Sequence, residues 1–101
     1  MVSQQVLPNN VHVAQVRVDA DKAWPSVLET LSFFVDPGTE LQMQDYPRIA
    51  RAEVGNAKVT VEVEAYDLNL TLIRVHAERY FTNDNETAET LMRKILERLE
   101  G

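Results

Sequence analysis

The chain has no cysteine. Disulfides, thiolate nucleophiles and cysteine-held metal are therefore excluded. Glycine is scarce, with three in all, and no glycine loop is dense enough to cradle a phosphate. Histidine occurs twice and tryptophan once. No apolar run approaches the roughly 20 residues that span a bilayer. Positive charge is also thin. Lys and Arg total 10 against 16 Asp and Glu, a formal net charge of −6. That balance argues against nucleic acid or an anionic membrane as the main partner, because both need dense positive charge.

What is present describes one small domain. The 101 residues are 45% hydrophobic and 26% charged, close to globular averages and far from disordered compositions. A second independent core would need more chain. Residues 1–10 lack the cationic start and apolar stretch of a signal peptide. Pro8-Asn9-Asn10 makes them read as a flexible lead-in, which leaves residues 11–101 as the domain.

Val11–Val18 is the first strand. Its apolar phase switches near Ala14, which predicts a bulge or twist. Asp19 or Asp21 then caps a helix whose buried face carries Trp24, Val27, Leu28, Leu31 and Phe34. Asp36-Pro37-Gly38 stops it. Leu41–Tyr46 reads as a short strand or an extended loop, cut off by Pro47. Ala50, Ala52 and Val54 alternate with charged residues, and Gly55-Asn56 is a two-residue hairpin signal. A second alternating strand carries Ala57, Val59, Val61 and Val63, and a third carries Ile73, Val75 and Ala77. A closing helix begins near Asn85, capped by Asp84 or Asn85, with Ala88, Leu91, Met92, Ile95 and Leu99 as its stripe.

A slip of one residue would exchange the two faces of a strand, so register follows from face matching. The Gly55-Asn56 turn sets Val54 opposite Ala57, Ala52 opposite Val59 and Ala50 opposite Val61. On the charged face it sets Glu53 opposite Lys58 and Arg51 opposite Thr60. A three-residue loop, Asp67-Leu68-Asn69 with Asn69 left-handed, sets Val63 opposite Ile73 and Val61 opposite Val75. It also pairs Glu62 with Arg74, Thr60 with His76 and Lys58 with Glu78. The expected fold is α+β in the order β-α-β-β-β-α, an antiparallel sheet with two helices packed on one face. The first strand is expected beside the strand that follows Asn69.

The stretch Val18-Asp19-Ala20-Asp21-Lys22-Ala23-Trp24-Pro25-Ser26-Val27 resembles the opening of the helix in BamC-type domains. The run from Thr87 through Leu91 to Ile95–Leu99 is similar to their closing helix. Gly55–Val75 with that helix also resembles small bacterial lipoprotein families of unknown function. The resemblance covers residues 11–100 by element order and spacing. It implies a helix-grip type of fold and a periplasmic or outer-membrane-anchored location, with the cytoplasm as the alternative. It also implies a protein-interaction role and a lipid anchor on a cysteine of the full-length protein, the one expected link to a membrane. The families supply no catalytic residue.

No chemical constellation emerges from the residues themselves. A metal would need both His12 and His76 with carboxylates such as Glu62 or Glu78. Ser3, Ser26 and Ser32 lie in no nucleophile elbow. Glu62 and Glu64 sit two apart on a charged strand face, a solvated pattern. Trp24 reads as a core anchor. No enzyme activity, cofactor or metal is expected. Tyr46, Tyr66, Leu68 and Leu70 differ, because they sit in or beside loops where periodicity does not require burial. With Leu72 they are the candidate partner-binding residues, for another protein or a second copy of the chain, and Leu68, Leu70 and Leu72 share the outer face as an apolar strip. The long Asp36–Pro47 segment is a second candidate surface. The alternative function is binding of a small apolar ligand in a cavity between sheet and helices, near Ala50, Ala52, Ala57 and Ala77.

Overall fold

Alternating apolar residues need a layer to cover them, and here two helices supply it. The computed structural model describes residues 3–6, 10–80 and 82–100. In chain order its elements are β1 (Ser3–Val6), β2 (His12–Val16), α1 (Ala20–Phe34), β3 (Gln42–Asp45) and β4 (Arg48–Val54). These are followed by β5 (Ala57–Asp67), β6 (Leu70–Arg79), β7 (Thr82–Asn83) and α2 (Asn85–Glu100). Six strands form one sheet in the order β1-β2-β6-β5-β4-β3, every neighbouring pair antiparallel. The short β7 pairs with Glu78 and Arg79, on the edge of β6 that β2 leaves free. Both helices cover one face. The α+β class and the single helical layer are as expected, Leu41–Tyr46 takes the short-strand alternative as β3, and β1 and β7 are added at the margins.

The expected register of β4, β5 and β6 is observed pair for pair, from Val54 opposite Ala57 to Val63 opposite Ile73. β2 lies beside β6, with Ala14 opposite Ile73. The turn between β5 and β6 differs from expectation. Asp67 pairs with Leu70 around a two-residue Leu68-Asn69 turn, and Tyr66 is the extra residue of a bulge. The bulge restores the same register that a three-residue loop would give. Among the described residues φ is positive at Asn10, Asn56, Tyr80, Gly38 and Gly55, and Asn69 is not one of them. Of the bulge or twist expected near Ala14, the bulge is absent, since β2 pairs with β6 without a break. The phase switch has another cause. His12, Ala14 and Val16 face the helices, while Val13 is buried on the opposite face between β1 and β6. Of the stretch read as a lead-in, Ser3–Val6 forms the edge strand β1.

One cluster holds the layers together. Ala14, Val16, Val59, Val61, Ile73 and Val75 from the sheet meet Val27, Leu31, Leu91, Met92 and Ile95 from the helices. Each of these side chains is almost completely removed from water. Burying one such side chain is worth about 1.5–3 kcal/mol. Trp24 is 7% exposed, and its indole N–H donates to the Asp45 carboxylate at 3.2 Å. Arg48 pairs with Asp21 at the start of α1. These two contacts tie the β3–β4 hairpin to the first helix.

Candidate functional site

The five candidate residues fall at one end of the sheet. Asp45 opposite Arg48 closes the β3–β4 turn, which leaves Tyr46 at its tip, 93% exposed. Arg48 lies opposite Val63, so this turn stands beside the far half of β5. From there β5 runs on beside β6, which β2 still flanks as far as Thr71. The bulge in β5 presents Tyr66, 63% exposed, and the β5–β6 turn presents Leu68, 85% exposed. Leu70 and Leu72 are half-buried on β6, and Leu72 lies between Gln15 of β2 and Glu64 of β5. The five residues therefore form a broken rim of two turns and a strand, not one continuous strip. A hollow of about 320 Å³ lies beside the β3–β4 turn, bounded by Tyr46, Pro47, Val63, Ala65 and Arg74.

Charge brackets this end. Arg74 donates to Glu64 at 2.7 Å and lies 3.9 Å from Glu62. The expected Glu62–Arg74 pair thus forms, but the diagonal Glu64 contact is the tighter one. Asp67 accepts from the N–H of Leu68 at 2.8 Å and steadies the turn that carries that leucine.

The outer face of the sheet also carries a trough of about 710 Å³, walled on one side by Gly38–Glu40 of the long α1–β3 segment. Gln42, Arg51, Thr60 and His76 cross its floor as one row on β3, β4, β5 and β6. Glu53, Lys58 and Glu78 form the next row. Sequence reasoning took this as a solvated charged face. The Arg51–Thr60 and Thr60–His76 pairings were readable, but the trough was not, because its wall and Gln42 come from a segment without clear periodicity.

His76 Nε2 lies 3.0 Å from Asn83 Oδ1, and its Nδ1 lies 3.8 Å from Glu78 Oε1. His12 sits on the opposite face of the sheet, buried, with Nε2 3.4 Å from Asn85 Oδ1. The two histidines therefore cannot share one ion. Trp24 belongs to the core and not to an open site. A third hollow, between Phe33 and Phe34 of α1 and Lys94 and Arg98 of α2, lies on the outside of the helical layer. Exposed Phe33 stacks there under the Arg98 guanidinium, 5.2 Å from the ring centre. No helix among the described residues is long and apolar enough to cross a membrane. No family model matches the chain, and no curated protein or solved structure matches it either.

Proposed function

We propose that this chain is a non-enzymatic binding module of the bacterial envelope that docks another protein through its hairpin end. The observation that carries the reading is the exposure of Tyr46, Tyr66 and Leu68 from two turns at the same end of the sheet. Large tyrosine and leucine side chains gain most when a partner removes them from water. Their turns are held by sheet pairing, so little ordering entropy is left for the binding step. The envelope location, and a lipid anchor on the full-length protein, rest on the resemblance to BamC-type domains. A second copy of the chain is the other occupant of the same surface.

The alternative reading, a small apolar ligand held between sheet and helices near Ala50, Ala52, Ala57 and Ala77, needs open space at that interface.

A photo-crosslinking residue placed at Leu68 in cells tests the proposal. One discrete protein adduct is expected, weakened by Tyr46→Ser and Tyr66→Ser, with none from the same probe at Lys94. An adduct pattern identical at both positions, or none at Leu68, would overturn it. Fractionation of cells expressing the native gene tests the envelope location, and recovery with the cytoplasm would sink that part.

A further inference from the structure

We infer that the outer-face trough is a second site, independent of the hairpin end, that binds a small zwitterion with a carboxylate and an ammonium a few ångströms apart. Free amino acids and short peptides share this chemistry.

The anionic half is received by Arg51 and Thr60. They lie directly opposite one another on β4 and β5, where strands stand about 4.8 Å apart. Among the described residues neither the Arg51 guanidinium nor the Thr60 hydroxyl has a partner. A guanidinium presents a planar fork that matches a carboxylate bidentately. The half-buried Thr60 adds an O–H beside it.

The cationic half is received by His76 and Glu78. In the tautomer that donates Nε2–H to Asn83, His76 Nδ1 holds a lone pair. It faces the Glu78 carboxylate at 3.8 Å. In that tautomer Nδ1 and the Glu78 carboxylate are two acceptors with no donor between them. An ammonium placed between them satisfies both.

The contrast along the same face favours this assignment. Two residues before His76 on β6, Arg74 is already closed by Glu64 and Glu62. Lys58 lies directly opposite both Glu53 and Glu78, yet among the described residues it pairs with neither. The trough thus keeps both signs of charge open, and a ligand of both signs complements it where a simple anion would meet Glu53 and Glu78.

The test is a titration of the full chain followed by amide shifts in ¹⁵N-resolved NMR spectra, with glycylglycine, acetate and methylammonium as separate probes. Saturable shifts around Arg51, Thr60 and His76 are expected with glycylglycine, at millimolar affinity. Arg51→Gln and Glu78→Gln should each weaken it about tenfold, a loss of roughly 1.4 kcal/mol. Acetate and methylammonium alone should bind at least about tenfold more weakly than glycylglycine. The same spectra show that each variant is folded. No saturable shift, acetate binding as well as glycylglycine, or variants that bind like the parent would each overturn the inference.

Discussion

Asp36 accepts from the backbone N–H groups of Gly55 and Asn56 at 2.6 and 2.8 Å, while its own N–H donates to the Glu53 carbonyl at 2.7 Å. One carboxylate thus caps the β4–β5 turn and ties it to the end of α1. Asp36→Ala should cost about 1–2 kcal/mol, read as a lower urea midpoint, because two backbone donors lose a charged acceptor. Asp84 has the matching role at the start of α2. Its carboxylate accepts from the Thr87 hydroxyl at 2.7 Å, the Thr87 N–H at 3.1 Å and Arg79 at 3.1 Å. The Thr87 hydroxyl, then its N–H, and then Arg79 hold the Asp84 carboxyl below its usual range, against a smaller opposing push from burial. A depressed carboxyl contributes stability above its unfolded pKa and loses it as pH falls through the folded one. The stability gap between the parent and Asp84→Asn should therefore be full at neutral pH and shrink below about pH 4. Denaturation at both pH values measures this. Either aspartate is visible in the sequence as a helix boundary. That Asp36 serves a hairpin 19 residues away is not, because the contact depends on where the sheet brings Gly55.

The strands show how far face matching reaches. In β4, β5 and β6 an unbroken period of two and one sharp turn left a single register, because any slip would have moved Val59, Val61 and Val75 to water. Gly55 and Asn56 both take positive φ, +56° and +70°, as a type I′ turn demands. A Cβ at Gly55 would meet only the end of Arg79, at 3.6 Å. Gly55→Ala should thus cost about 1 kcal/mol through backbone strain alone, checked by thermal or urea unfolding. β3 and β1 escaped such reasoning. All four β3 residues are exposed, so no buried face marks them, and the strand exists through its pairing with β4. In β2 the buried His12, Val13 and Ala14 in succession broke the period because neighbours cover both faces.

At the scale of the molecule the two helices and the sheet share one core. Ile95 of α2 lies in it fully buried, in the same cluster as Leu31 of α1 and Ile73 of β6. Ile95→Ala should destabilise the whole domain by about 2–5 kcal/mol. The single tryptophan, Trp24, lies on the other helix. Its fluorescence and the helical circular dichroism should therefore fall in one coincident transition in the parent and in the variant. Two separate transitions would show that the helices unfold independently. The exposed rim behaves differently. Tyr46→Ser and Leu68→Ser should leave stability within about 0.5 kcal/mol of the parent, since neither side chain is buried.

The sequence by itself determined the α+β class, the central register and the buried face of each helix. All of these follow from local periodicity, turn chemistry and the need to keep apolar side chains from water. It also determined that Tyr46, Tyr66 and Leu68 had no reason to be buried. Only the tertiary structure decided that the two turns bearing them lie at the same end of the sheet, that Asp36 caps a distant hairpin and that His12 and His76 face opposite ways. It also turned a face read as evenly solvated into a trough in which Arg51 and Thr60 stay open while Arg74 is closed. Those outcomes depend on contacts between residues far apart in the chain, and periodicity carries no record of such contacts.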